Sequence, residues 1–574
     1  MAFQLSPGIN VSEIDLSTTV PAVGTTEGAF VGNFVWGPAN KIVNVSNEIE
    51  LVRLFGNPDS NTFVSFFTAA NFLSYAQNLR LVRAANTSNV LNATSAGQAI
   101  SIANRDVYEA SYLAVPNSNT YGMFAARYPG QLGNSLKVSL YAGNSATACT
   151  AWSSDIWTYY DQFVSRPTTS VYTAANGGAN DEMHIIVIDE NGKFTGVANT
   201  VLEKFDFVSK ASDAKTDDGS SNYYVNVIND MSQYIYIMNH AQAANLAPDT
   251  ITWGTPASNT AFTQSNAVYT ASMTNGTFGM ATQGDITLGY DNFVNPAEAD
   301  ISLVITGDHG IAIQQYVIDN ICEARRDCVA FISPSKANTV NNLGSETTSI
   351  INYRNALGRS TSYAVMDSSW KYQFDKYNNV YRWIPMNGDI AGLCVRTDQT
   401  TDAWFSPAGI SRGQIKNVIK LGWNPTQGNR DDLYNNGINP VVTFPGEGTI
   451  LYGDKTLLAT PSAFDRINVR RLFIVLEKAI AKASRASLFE FNDEFTRAQF
   501  ISLVEPFLRT VKGRRGIYDY RVVCDTTNNT PDIIDGNQFI GDIYIKPARS
   551  INFIQLNFVA VRTGVAFEEI VGKF

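Results

Sequence analysis

Apolar positions along this chain recur with two different periods, and the periods sort into blocks. "GAFVGNFVWG" (28–37) is a nearly continuous apolar run stopped at Gly37-Pro38, the pattern of a buried strand. "SNEIELVRLFG" (46–56) sets Ile49, Val52 and Phe55 at helical spacing behind a Ser cap and stops on Gly56. A second helix is predicted over 61–76 and a strand over 78–84. The same alternation returns after 295, with a strand at 299–308, an amphipathic helix at 310–327, a strand at 328–335, a helix near 345–357 and a strand at 361–367. Strand–helix–strand order implies parallel pairing through right-handed crossovers. Between these blocks lie short β-type runs at 137–143, 183–190 and 234–240, with Asn-Gly turn signals at 191–192 and 275–276. Residues 21–90 and 300–410 therefore read as one α/β domain interrupted by a β-rich insertion at 91–299. Such an insertion is tolerated because loop-closure cost grows slowly with length.

The last third is the most regular. Helix 464–490 carries an apolar stripe through Leu472, Phe473, Leu476, Ala479, Ile480 and Ala483, with Arg470, Arg471, Lys478, Lys482 and Arg485 off it. Helix 492–516 opens on an Asn cap and acids and closes on Lys512, Arg514 and Arg515 before Gly516, as the helix dipole favours. Strands are predicted at 516–525, 538–547 and 550–563. The last is apolar on both faces, through Ile551, Phe553, Val559 and Val561 on one and Ile554, Leu556 and Phe558 on the other. The start, "SPGINVSEIDLST" (6–18), puts Ile9 and Val11 on one face and Ile14 and Leu16 on the other. Both ends thus carry strand patterns with no local partner, where a terminus ordinarily frays. The fold class expected is α+β, mixed α/β and multidomain. The segments are an N-terminal arm (1–20), a middle domain (21–90 plus 300–410), one or two outer domains (91–299), a C-terminal α/β domain (411–550) and a C-terminal strand or arm (551–574).

Charge changes this picture in two ways. Only 16% of the 574 residues are charged against 44% hydrophobic, so much of the surface is built from amides, hydroxyls and glycine. The net charge of −10 argues against nucleic acid as the main partner. It is also unevenly spread. Residues 91–300 hold 8 Lys/Arg against 19 Asp/Glu, a net of −11, whereas 461–574 hold 16 against 13, a net of +3. Five scattered cysteines with no CxxC fit reduced, buried thiols. No signal peptide and no membrane-spanning run of about 18 apolar residues is read.

Candidate chemistry is sparse. "GEGTILYGDKT" (446–456) has phosphate-loop glycine spacing, with Lys455-Thr456 in the place of the Lys-Ser/Thr pair. Asp454 interrupts that spacing, and "TILYG" reads as a strand, so a β-turn is the simpler reading. His184, His240 and His309 each stand alone, without metal-ligand spacing. Asp181-Glu182 and Asp189-Glu190 read as solvated loop acids, and 214–222 lacks the register of a calcium loop. No catalytic residue, cofactor or metal is expected.

Several stretches together resemble the contractile-tail sheath proteins of myoviruses, of the T-even-like family. They are "LSPGINVSEIDLSTTVPAVGTTEGAFVGNFVWGP" (5–38), "ARYPGQLGNSLKVSLYA" (126–142), "VLEKFDFVSKASDAK" (201–215), "WFSPAGISRGQI" (404–415), "LYNNGINPVVTFPGEGTILYGDKTL" (433–457), "FDRINVRRLFIVLEKAI" (464–480) and "VRTGVAFEEI" (561–570). The resemblance implies a structural subunit whose stacked hexameric rings form a helical sheath around a tail tube. That sheath contracts to drive the tube through a bacterial envelope for genome delivery. The implied partners are neighbouring copies of the chain, the tail tube protein, and the baseplate and tail terminator proteins, with no nucleic acid and no membrane insertion. The implied location is the virion tail, assembled in the host cytoplasm. The arms would reach neighbouring subunits through Ile9, Val11, Ile14, Leu16, Phe553, Leu556, Phe558 and Val561. Arg470, Arg471, Lys478, Lys482 and Arg485 would face the tube. Two alternatives stand beside this reading: the sheath of a bacterial contractile injection system, of tailocin or secretion type, and a P-loop nucleotide-binding enzyme using Lys455.

Overall fold

The computed structural model describes residues 24–113, 121–143, 152–240, 252–265, 268–552 and 555. Two compact units emerge, the first ending at Leu488 and the second beginning at Phe489.

The first unit is organised by a seven-stranded sheet. Its spatial order is Ile438–Asn439, Ala364–Asp367, Val329–Ile332, Leu303–Ile305, Gly28–Gly32, Leu79–Arg83 and Ile42–Val45. Every neighbouring pair is parallel except the last, where the edge strand Ile42–Val45 runs antiparallel. Leu303–Ile305 is the central strand, and Gly28–Gly32 lies beside it, with Phe30 level with Leu81 on one side and Ile305 on the other. Alternation along these strands divides the core into two layers. Phe30, Leu81, Leu303, Ile305, Phe331 and Val365 face the helices Phe63–Leu73 and Asn387–Thr400. Val31, Val82, Val304, Ala330, Ile332 and Met366 face a layer that includes Tyr290, Val317, Ile318 and Ile350. A parallel sheet covered on both faces needs the near-continuous apolar strands that the sequence displays.

Three strands from before residue 90 and four from after 300 thus share one sheet. The structure moves two of the expected limits. Helix Gln283–Asp291, placed by sequence within the insertion, lies on this sheet, with Gly289 so close to Val31 that an added Cβ would meet it at 2.6 Å. Strand Ile438–Asn439 pairs with Met366 and Asp367, and the core runs on to Ile474, so no break falls at 411. Such short strands carry too little periodicity to be read from sequence.

The insertion holds a four-stranded antiparallel sheet in the order Thr200–Ser209, Glu182–Asp189, Leu136–Tyr141 and Tyr269–Ser272. Its core gathers Leu136, Val138, Leu140, Ile185, Val187 and Tyr224.

Caps differ from expectation by one residue. Helix Glu48–Phe55 is capped by Asn47, whose side chain accepts from the Glu50 N–H, while Ser46 donates to the Glu50 carboxylate. Asn47→Ala is expected to cost about 1 kcal/mol, read as a lowered urea midpoint at unchanged slope. Helix Glu494–Gly513 is likewise capped by Asp493 rather than Asn492. The expected 310–327 helix contains a π-helical stretch over Val317–Cys322.

Candidate functional site

The segment with phosphate-loop spacing forms no phosphate cradle. Gly448–Leu451 is the return strand of a hairpin with Val441–Phe444. No helix opens after Thr456; the Lys455 ammonium instead donates to the Tyr434 carbonyl at 2.7 Å and lies 4.4 Å over the Tyr434 ring. Burial pushes its pKa below the usual lysine value. Thr456 donates to the Phe464 carbonyl, and Asp454 faces Arg466 at 3.5 Å. The lysine that suggested nucleotide chemistry ties the turn back to helix Gln427–Asn435, and the threonine and aspartate tie it forward to the start of helix Ile467–Ser484.

The acid pairs are not solvated loops. Asp181 is fully buried and accepts from the Ser170 N–H, the Ser170 hydroxyl and the Ser209 hydroxyl. Asp189 is also fully buried, accepting from the Lys193, Phe194 and Thr195 amides and from the Thr195 and Ser135 hydroxyls. Each carboxylate is surrounded by backbone and hydroxyl donors, with the buried Lys210 charge also close to Asp181, and local sequence shows none of these partners. His184 accepts from the Phe207 N–H and stands 2.8 Å from the Ser165 carbonyl, and burial lowers its pKa. His309 stands 2.8 Å from the Val31 carbonyl and His240 2.6 Å from the Tyr224 hydroxyl. Among the described residues no group of three or more His, Cys, Asp or Glu is arranged to hold a metal.

Helix Ile467–Ser484 corrects three of the five cations expected to face a tube. Arg470 is buried, its guanidinium 4.0 Å over Phe464 and 4.3 Å over Tyr363. Arg471 is buried in a 2.5 Å pair with Asp398. Lys478 donates to Asp300, the Ile301 carbonyl and the Ser302 hydroxyl. The first turns of this helix are enclosed on nearly all sides, so cations off the apolar stripe turn inward to partners. Lys482 and Arg485 are exposed.

The second unit is a helix laid on a small sheet. Phe500, Val504, Leu508 and Val511 bury one face of helix Glu494–Gly513, and Ile517 is buried on the adjoining strand. The sheet has two described strands, Ile517–Val523 and Asp542–Pro547, antiparallel with an irregularity between Ile517 and Asp519. Tyr518 and Tyr544 stand exposed on it, and Phe489, Phe491 and Phe495 are exposed ahead of and within the first turn of the helix. A two-stranded sheet is marginal alone, and its outer edges are unpaired rows of N–H and C=O among the described residues. The expected arm residues Ile9, Val11, Ile14, Leu16, Phe553, Leu556, Phe558 and Val561 lie outside the described residues.

Comparison with known proteins decides what such a chain is. Residues 28–84 match the tail sheath protein Gp18 domain III N-terminal region, 279–457 the phage tail sheath protein central domain, and 459–560 the phage tail sheath C-terminal domain. The tail sheath protein of Vibrio phage KVP40 is 34% identical across 99% of this chain and 100% of its own length. The chain belongs to the phage tail sheath family. The tail sheath protein of Enterobacteria phage T4 is 33% identical over 99% of both chains. The sheath fold is shared more widely. A sheath tail protein from Listeria innocua superposes with a TM-score of 0.52 at 11% identity, covering 93% of this chain and 97% of that one. The sheath complex of an extracellular contractile injection system in its contracted state gives 0.50 at 13% identity, covering 97% and 98%.

Proposed function

We propose that this chain is the subunit of a contractile phage tail sheath, and that copies join by adding terminal strands to a neighbour's second unit. The full-length likeness to phage tail sheath proteins carries the first half of the reading. The two-stranded sheet of the second unit supports the other half, because strand addition satisfies open edges with main-chain hydrogen bonds. Rings of subunits stack into a helix around the tail tube, since heterologous contacts that do not close on themselves build helical assemblies. The sheath contracts by rigid-body rearrangement of subunits, while the arms hold neighbours together. Tail tube, baseplate and terminator proteins are its further partners, and the virion tail, assembled in the host cytoplasm, is its location. Lys482 and Arg485 are the cations left for the tube surface. The role is structural rather than catalytic.

The phage reading stands ahead of a bacterial injection device because the phage relatives are about one-third identical over nearly the whole chain, while the injection-system sheath shares only the fold. Negative-stain microscopy of the purified chain tests it, with tubes of stacked rings expected. A chain lacking residues 1–17 should keep the native far-UV circular dichroism spectrum and form no tubes. Normal tubes from the truncated chain would overturn the arm mechanism.

A further inference from the structure

Strands Trp370–Asp375 and Val380–Pro385 pair antiparallel, with Tyr372 opposite Trp383 and Phe374 opposite Tyr381. Alternate residues share a face, so the four rings form one panel. Ring centroids are 4.7 Å apart for Tyr372 and Trp383, 5.5 Å for Tyr372 and Tyr381, and 5.2 Å for Phe374 and Tyr381. Strand Lys420–Leu421 extends the sheet and sets the Lys420 ammonium 5.1 Å over Tyr372 and 5.6 Å over Trp383. Phe374 is 45% exposed, Tyr381 52% and Ile419 56%. A cleft of about 430 Å³ opens beside them, lined in part by Phe67, Phe374 and Ile419. Lys376 and Lys416 are exposed nearby, Lys376 in a 3.2 Å pair with Glu48 of the cleft lining and Lys416 donating to the Ser74 carbonyl. The panel belongs to none of the enclosed cores of the first unit, and an apolar, cation-rimmed patch of this kind marks a contact surface.

Its chemistry selects a partner that offers rings and negative charge together. One described stretch of this chain does so. "LFEFNDEF" (488–495) exposes Leu488, Phe489, Phe491 and Phe495, interleaved with Glu490, Asp493 and Glu494 and with no cation among them. We propose that the Tyr381–Lys420 panel receives the 488–495 segment of a second copy of this chain. The inference rests on the reading that copies assemble, and names a contact between them other than strand addition. Aromatic pairs supply packing and fix geometry, while Lys420 against the three acids steers the approach and makes it salt-dependent.

The test mixes two single variants, Tyr381→Cys and Phe491→Cys, at equal concentration under oxidised glutathione. The described native thiols are buried and give little background. The expected result is a cross-linked species joining the two variants, absent from either alone, reduced at least tenfold when Lys420→Glu is added to the first chain and restored when Glu490→Lys and Glu494→Lys are added to the second. Tubes in negative stain without this cross-link would overturn the docking. The cross-link without tubes would uphold the docking and overturn the sheath reading, and neither tubes nor cross-link would overturn both.

Discussion

Lys371→Met should destabilise the first unit by about 3–5 kcal/mol, the cost of leaving a buried charge without its partner. Lys371 and Asp389 are both fully buried, with ammonium and carboxylate 2.9 Å apart. The ammonium also donates to the Lys416 carbonyl, and the Tyr75 hydroxyl donates to the same Asp389 oxygen. Asp389 lies in the first turn of helix Asn387–Thr400, where the helix dipole favours a negative charge. Burial nevertheless pushes the Lys371 pKa down and the Asp389 pKa up, so desolvation outweighs the attraction between them. The pair therefore specifies where strand Trp370–Asp375 meets the helix more than it stabilises the fold. It follows that Lys371→Met with Asp389→Leu should recover most of the loss, returning to within about 2 kcal/mol of the wild type. Urea unfolding followed by tryptophan fluorescence measures both. A single variant within about 1 kcal/mol of wild type would refute the argument, as would a double variant no better than the single.

How much of this was legible in the sequence depends on what each residue's environment is made of. The parallel strands were readable because a sheet covered on both faces writes itself as apolar runs, as in "GAFVGNFVWG". The return of the chain to that sheet after the insertion was readable for the same reason. Arg470 and Arg471 were misread because a helical stripe assigns cations to water by default, and nothing local announces Tyr363, Phe464 or Asp398 as partners. Asp181 and Asp189 were misread because their donors are mostly backbone amides and hydroxyls, which carry no charge signature. The aromatic panel had a trace in the sequence. Tyr372 and Phe374, then Tyr381 and Trp383, stand two apart on either side of "DKYNN", a hairpin pattern with rings on one face. What no local pattern supplied was Lys420 arriving from some forty residues on to cover those rings.

Asp367 should make the first unit lose stability as pH rises from 4 to 8, relative to Asp367→Asn. The residue ends strand Ala364–Asp367 and is buried, accepting from the Ser333 hydroxyl at 2.5 Å and the Ser369 N–H at 3.1 Å. Burial raises its pKa from 3.8 to about 7, with the nearby Asp389 charge adding to the rise and the two hydrogen bonds opposing it. The sign follows from proton counting. Between the unfolded value of 3.8 and the folded value of about 7 the native state holds a proton that the unfolded chain has released. Stability from this group is complete below the unfolded pKa and is lost as pH climbs through the folded one. At about 1.36 kcal/mol per pH unit the whole loss is about 4 kcal/mol. Asparagine keeps an acceptor for the Ser369 amide and has no proton to release, while the Ser333 hydroxyl can turn to accept from the new amide. The variant should therefore match wild type near pH 4 and exceed it by up to about 4 kcal/mol at pH 8. Urea midpoints at half-unit pH steps give the difference directly. Parallel curves for the two proteins would mean that Asp367 is already ionised in the folded chain, and that the cluster at the ends of the parallel strands is solvated more than its burial implies.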